Sequence, residues 1–435
     1  AFCKKCFILF LHQNHTGHLR VIFAGSMEFF TFTLPNGIRV IHKQTTSDVS
    51  HCGLIINAGS RDELEQQQGV AHYIEHCVFK GTIKRKPFHI LSRLDSVGAE
   101  INAYTTKEET CVYSSFVETH FERALELTAD ICFHSTFPEK EIVKEKEVIL
   151  DEILSYQDSP GEQIFDDFED QVFKGHAIGR NILGTEESVK KLSRQDILDF
   201  ISRKYTTDQI VFASVGNTDP RKVKRLCEKY LGEYQSATSK DQREAFTNYR
   251  PTHESQERET FQNHYVLGGV SFAHSSKERT GMVLLNNILG GPGMNSRLNL
   301  HIREKYGFAY NIESLYHSYS DTGIFQVYLA TDPKYFSKAK QLVRKELDKL
   351  MNKPLGTVQL HQAKQQLMGQ IALSQESGSG TMLGLGKSFL LFDRVDSIHE
   401  VNAKIEKLTA IQLQDIANEM FSEAHLSSLT FGNKA

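Results

Sequence analysis

The sequence predicts an α+β fold: two homologous α/β sandwich domains joined by a linker. Three observations carry that prediction. At 435 residues the chain is too long for one ordinary core. Strand patterns mix with helix patterns and include antiparallel hairpins, where a parallel sheet would show strict strand–helix alternation. Finally, the order of elements recurs after a polar, aperiodic stretch at 236–256 that is broken by Pro251 and reads as the linker. The expected divisions are a foreign-looking segment at 1–26, a first domain at 27–240 and a second at 257–435.

Residues 29–41 alternate as two strands around a Pro35-Asn36-Gly37 turn. A strand at 51–59 leads to a short helix around 71–77. The next helix, at 87–97, stops at Gly98. A strand hairpin at 101–116 is followed by a helix at 118–134 and another at 138–154. Pro138 suits that helix's first turn, and Val148, Ile149 and Ile153 give it an apolar stripe. Helical stretches through 188–205, a strand at 209–215 and a helix at 221–234 complete the first half. The second half repeats the plan: strand 265–273, helix 280–289, a helix ending at Gly307, hairpin 308–329 and a long helix at 334–351. Gly290-Gly291-Pro292-Gly293 reads as a sharp helix-stop turn; it lacks the G-K-[ST] of a phosphate loop.

The segment at 1–26 fits neither half. Lys4-Lys5 and the apolar run after them imitate a secretory signal, but the run is short and no small-residue cleavage site follows closely. It is too poor in Arg for a mitochondrial transit peptide. Ala24-Gly25-Ser26 reads as an appended junction with Met27 the natural start.

A net charge of −4 with both signs interspersed gives no reason to expect nucleic acid, and no run of eighteen apolar residues predicts a membrane span. Seven cysteines include no C-x-x-C pair beyond Cys3 and Cys6, which fits free thiols in a reducing compartment such as the cytoplasm.

The chemistry concentrates in Ala71-His72-Tyr73-Ile74-Glu75-His76-Cys77. On a helix, His72 and His76 stand one turn apart on a single face, so both imidazoles can enter one metal sphere. Glu75 hangs beside that sphere without having to be a ligand, and Cys77 points in another direction, as a packing residue. The pattern is H-x-x-E-H, the inverted zincin motif. A catalytic zinc needs a third protein ligand and an open fourth position. The best source is the helix at 138–154, where Glu145 and Glu152 lie seven residues apart on one face, with Glu147 and Asp151 pointing elsewhere. So short a motif also arises by chance, and an acidic amphipathic helix is ordinarily a solvated face.

The surroundings narrow the choice. Residues 69–82 read GVAHYIEHCVFKGT, residues 145–152 EKEVILDE and residues 179–185 GRNILGT. Together these resemble the M16 family of zinc peptidases, which includes mitochondrial processing peptidase and bacterial relatives, over nearly everything from Met27 onward. The resemblance implies one zinc per chain on His72, His76 and Glu152, with Glu75 the catalytic base and Glu145 a supporting second glutamate. It implies that Asn102 and Ala103, in the Asn102-Ala103-Tyr104 strand, hold an extended peptide substrate by backbone pairing. It also matches Arg303-Glu304-Lys305-Tyr306-Gly307-Phe308-Ala309-Tyr310 to a second-half motif whose Arg303 and Tyr310 reach the site. The expected activity is that of a zinc endopeptidase on extended or unfolded peptides, in a homodimer enclosing a cavity. A non-catalytic peptide-binding or assembly subunit is the alternative. In the second half, the helix matching the histidine helix carries no His and no acid, so only one half is expected to hold metal.

Overall fold

The computed structural model describes residues 20–21 and 29–432. In the first half, β1 (Arg20–Val21), β2 (Phe29–Thr33), β3 (Arg39–Gln44) and β4 (Val49–Ile56) precede α1 (Val70–Cys77) and α2 (Pro87–Asp95). β5 (Glu100–Thr105) and β6 (Thr110–Val117) form a hairpin. Then come α3 (Phe121–His134), α4 (Glu139–Gln157), α5 (Pro160–Val172), α6 (Glu186–Lys191), α7 (Arg194–Lys204), β7 (Ile210–Gly216) and α8 (Pro220–Leu231). The second half runs β8 (His253–Glu257), β9 (Asn263–Ser271), α9 (Arg279–Gly290), a π-helical segment (Asn299–Glu304), β10 (Ala309–Ser318) and β11 (Gly323–Thr331). It closes with α10 (Phe336–Asn352), α11 (Thr357–Ser374), α12 (Gly378–Phe392), α13 (Ile398–Glu406), α14 (Ala410–Met420) and β12 (Ser427–Gly432).

The two sheets share one plan. The first has the order β1-β2-β3-β7-β4-β6-β5 and the second β10-β11-β9-β12-β8. Read from opposite ends, β3-β7-β4-β6-β5 matches β8-β12-β9-β11-β10 strand for strand. Pairing directions agree too: β3 with β7 and β8 with β12 are the parallel pairs, and the rest of this shared set is antiparallel. The repeat read from the sequence is therefore a repeat of topology.

Both faces of each sheet are covered. Alternate residues point to opposite faces of a strand, so Leu54 and Ile56 of β4 pack with α1 and α3 residues such as Ile74 and Leu125, while Ile55 faces α12. The covering is reciprocal between the halves. Helix α12, from the second half, lies on the first sheet, where Met382, Leu385, Phe389 and Leu390 meet Ile41, Ile55, Val211 and Ala213. Helix α5, from the first half, lies on the second sheet, with Ile164, Phe168 and Val172 against Val266, Ile324, Leu429 and Phe431. Each fully buried aliphatic side chain contributes roughly 1.5–3 kcal/mol relative to exposure, so these layers are strong glue. Gly386 lets α12 approach: a Cβ there would lie 2.0 Å from Ile55 Cδ1 and 2.9 Å from Ala213 Cβ.

Three expectations need correction and a fourth is refined. The stretch at 236–256 is not linker throughout, because β8 begins at His253 and pairs in parallel with β12. As a mostly exposed edge strand, β8 has no apolar alternation to betray it. Residues before β8 also pack inward: Phe246 and Tyr249 join the α5 layer. The helix expected to end at Gly307 does end there, with Gly307 in the left-handed region at φ +64, and the refinement is that Asn299–Glu304 within it is π-helical. In α4, Val148 is exposed and the inward stripe is Ile142, Ile149 and Ile153, with Pro138 at the cap. Within 1–26, Arg20 and Val21 pair antiparallel with Thr31 and Phe30. The signal-like run, Cys3, Cys6 and the junction at 24–26 lie outside the described residues.

The five described cysteines are free and buried. No helix among the described residues is long and apolar enough to cross a membrane.

Candidate metal centre

Helix α1 has two turns and two faces. Tyr73, Ile74 and Cys77 point into the core, and the Tyr73 hydroxyl donates to the Ile142 carbonyl at 2.5 Å, fixing α1 against α4. Burial pushes the Cys77 thiol up to about 12, which suits an inert packing residue. The opposite face carries His72 and His76, with ring centroids 4.6 Å apart.

Helix α4 supplies the third group. Glu152 Oε2 lies 3.7 Å from His72 Nε2 and 3.5 Å from His76 Nε2. One ligand atom from each of the three residues fits within a 4.8 Å span. Glu145 is buried and sits behind this group: its Oε2 is 3.3 Å from His76 Nδ1 and its Oε1 is 2.7 Å from Lys80 Nζ. A carboxylate on the far ring nitrogen holds the imidazole's orientation and leaves Nε2 free to coordinate. Glu147 and Asp151 are exposed.

The donor set suits zinc: two imidazole nitrogens and one carboxylate, short of the four that close a structural site. Burial, then the neighbouring His76, lowers the His72 pKa to about 3, so that ring is neutral as a ligand must be. Its Nδ1 is buried with no hydrogen-bond partner, so the ring has only its Nε2 side engaged. Glu75 is half-buried beside the pair. Burial raises its carboxyl pKa, while Thr105 and His76 favour the charged form.

Asn102 and Ala103 lie on β5, the last strand of the first sheet, whose outer edge has no pairing strand among the described residues. Helix α1 packs beside β5, and the Thr105 hydroxyl donates to the Ala71 carbonyl at 3.5 Å.

Arg303 and Tyr310 are brought to each other, with the guanidinium carbon 6.0 Å from the ring centre. Arg303 lies on the π-helical segment, and Tyr310 interrupts the register of β10 against β11, which resumes at Asn311. π-Turns and bulges both re-aim side chains near functional sites. Tyr310 is 83% exposed, and neither residue makes a hydrogen bond, ion pair or ring contact with the first half among the described residues.

Sequence reasoning missed Lys80, Thr105 and Glu63, whose carboxylate accepts the Gly69 and Ala71 N–H groups at the start of α1. The last had a signal: Gly69 precedes α1, and a glycine offers no capping side chain, so an acceptor has to come from elsewhere.

Comparison with known proteins identifies the relatives of this chain. The description Insulinase (Peptidase family M16) matches residues 39–186, and Peptidase M16 inactive domain matches residues 191–367. A protein named uncharacterized zinc protease YmxG from Bacillus subtilis is 31% identical over 403 residues, covering 92% of this chain and 97% of that protein. The chain belongs to peptidase family M16. Another relative named an uncharacterized zinc protease, from Streptomyces coelicolor, is 33% identical over 398 residues, 89% of this chain and 86% of that protein. Among solved structures, a protease from Helicobacter pylori superposes with a TM-score of 0.86 at 20% identity, covering 93% of this chain and all of that one. A peptidase M16 inactive domain structure from Pseudomonas fluorescens gives 0.87 at 18% identity, covering 94% and 98%. At these identities the superpositions establish the M16 fold, two similar α+β domains in one chain.

Proposed function

We propose that this M16 protein is a zinc-dependent endopeptidase acting on extended or unfolded peptides. The observation that carries the reading is the convergence of His72, His76 and Glu152 beside a non-ligating Glu75, next to the open edge of β5. Zinc, when bound, lowers the pKa of a coordinated water to about 7 and polarises a peptide carbonyl. His72, His76 and Glu152 would hold it, with Glu145 keeping His76 oriented. Glu75 takes the proton of the attacking water and passes it to the leaving amine. The backbone of β5 around Asn102 and Ala103 receives the substrate as an added strand, which selects extended peptides because only they offer a free backbone edge.

Arg303 and Tyr310 belong to the same reaction as donors to the carbonyl oxygen as charge gathers on it. Their exposure and their separation from first-half contacts support a homodimer in which one copy offers this pair to the metal site of the other.

Metal analysis combined with cleavage of an unstructured peptide library tests the reading. One zinc per chain and cleavage abolished by a chelator are expected. Full cleavage in chelator, or no cleavage by the zinc-loaded protein, would overturn it.

A further inference from the structure

Between β4 and α1, three consecutive side chains leave the backbone in three directions. Arg61 is buried and reaches the second half: its guanidinium meets Asp321 at 2.5 and 2.7 Å and Glu108 at 2.7 Å. Glu108 in turn accepts from the Ser320 N–H at 2.9 Å and the Ser320 hydroxyl at 2.6 Å. Asp62 accepts from Arg243 of the connecting segment at 3.0 and 2.8 Å, and from Lys204 of α7 at 3.3 Å. Glu63 turns toward the metal centre. Its Oε2 accepts the Gly69 N–H at 2.8 Å and its Oε1 the Ala71 N–H at 2.9 Å.

The segment bearing these side chains is itself anchored. The Ser60 and Arg61 N–H groups donate to the Thr106 and Lys107 carbonyls, and a Cβ at Gly59 would lie 2.3 Å from the Thr106 oxygen. Helix α1, by contrast, has no cap of its own. Its N-cap is Gly69 at φ +90, where a Cβ would lie 2.6 Å from the Leu183 oxygen, so a Ser, Thr or Asp cap does not fit. Glu63 supplies both acceptors instead. His72 is the third residue of an eight-residue helix, inside the turn those bonds close. A helix that short does not hold its first turn by propagation alone.

We infer that Glu63 is a positioning residue for the metal centre, and that Arg61-Asp62-Glu63 is a joint through which the seating of the second domain sets the pitch of α1 and of its His72–His76 pair. The inference rests on the reading of His72 and His76 as metal ligands.

The test uses the full chain and two readouts: zinc affinity by competition with a chromophoric chelator, and the visible absorption bands of the cobalt(II)-substituted protein. His72→Ala is measured first; if it matches the wild type in both, the metal reading itself fails. If it differs, the Glu63 variants decide the inference. Glu63→Gln keeps the volume but turns an amide N–H2 toward one of the two N–H groups. We expect zinc affinity to fall by about 10–100-fold, the scale of a lost outer partner, with shifted cobalt bands. Asp321→Asn, at the far end of the joint, is expected to weaken zinc by roughly two- to thirtyfold with a band shift of the same sign. Wild-type affinity and bands in Glu63→Gln, whatever happens to its Tm, would reduce Glu63 to an ordinary cap and overturn the inference. Should Glu63→Gln not fold, Asp321→Asn decides alone, and wild-type affinity and bands there overturn the joint.

Discussion

Helices α1 and α9 occupy matching places against five strands of the same order in the two sheets, yet their other faces carry unlike chemistry. The first presents His72, Glu75 and His76 to a neighbouring acidic helix; the second reads RTGMVLLNNILG, without a histidine or an acid. The architecture is indifferent to the change. Both helices bury their apolar faces against their own sheets, with Val70 and Ile74 in one and Met282 and Leu285 in the other. What distinguishes the second half lies further on, in the π-turn and the bulge that present Arg303 and Tyr310 outward. The shared scaffold thus tolerates different residues at matching places, and each half departs from the plan where its candidate site residues stand.

The largest expected effect tests the first half. Glu75→Gln should retain zinc and the fold while turnover falls on the order of 10²–10⁴-fold, the usual loss for a general base. Wild-type turnover in that variant would remove Glu75 from the mechanism and much of the contrast between the halves.

Tyr310→Phe tests the second half. Loss of one donor to the developing oxyanion costs about 2.7–4 kcal/mol, or roughly 10²–10³ in kcat. Because the ring is exposed, zinc content and Tm should not move. Mixing Tyr310→Phe with Glu75→Gln chains sharpens the point: a site shared between copies regains activity in the mixed dimer, whereas one contained in a single chain regains none.

The pH dependence of stability should also separate the matching strands β3 and β8. His42 on β3 is buried, with its ring nitrogens 2.9 Å from the Ser214 hydroxyl and 2.9 Å from the Thr218 carbonyl. Burial lowers its pKa from 6.5 to about 4, against the pull of Asp219 and its hydrogen bonds. Its neutral form therefore stabilises the fold above pH 6.5. As pH falls, the unfolded chain binds the proton first, and the contribution is lost between about 6.5 and 4, up to roughly 3 kcal/mol. Urea unfolding of wild type and His42→Asn across that window should show a shallower slope in the variant. Equal slopes would clear His42 of the effect. The matching strand β8 lies at a sheet edge, largely exposed, and has no such buried group to titrate.

The smallest effect concerns the packing between halves. Gly386→Val drives two methyl groups into Ile55 and Ala213 and should cost about 1–3 kcal/mol, seen as a lower urea midpoint. An unchanged midpoint would mean that α12 can lift without loss.

Much of this was legible in the sequence because it is written in short-range patterns. The i, i+4 histidines and the alternation in β2 and β3 lie within one or two elements, and the return of the same element order is a succession of such local patterns. The failures are of another kind. Nothing local in Pro160–Val172 says that Ile164 and Phe168 serve the other half's sheet, because an amphipathic helix does not name its partner. β8 is polar because it is an edge, and edges suppress the alternation that identifies strands. Helical periodicity cannot tell a π-turn from an α-turn over six residues. In the site, the candidate ligands stood out by type and spacing. Lys80, Thr105 and Glu63 did not, because they act through contacts fixed only when α1, β5 and the chain after β4 are brought together.

The reciprocal placement of α5 and α12 also has a meaning in time. A ribosome finishes β7 long before it reaches α12, and at about 5–20 residues per second the interval is on the order of ten seconds or more. Throughout it, the nascent first sheet has one apolar face, around Ile41, Ile55, Val211 and Ala213, still waiting for its cover. Every newly made chain therefore passes through a stage in which its first half exposes this face, for a time set by the distance along the message between a sheet and the helix that closes it.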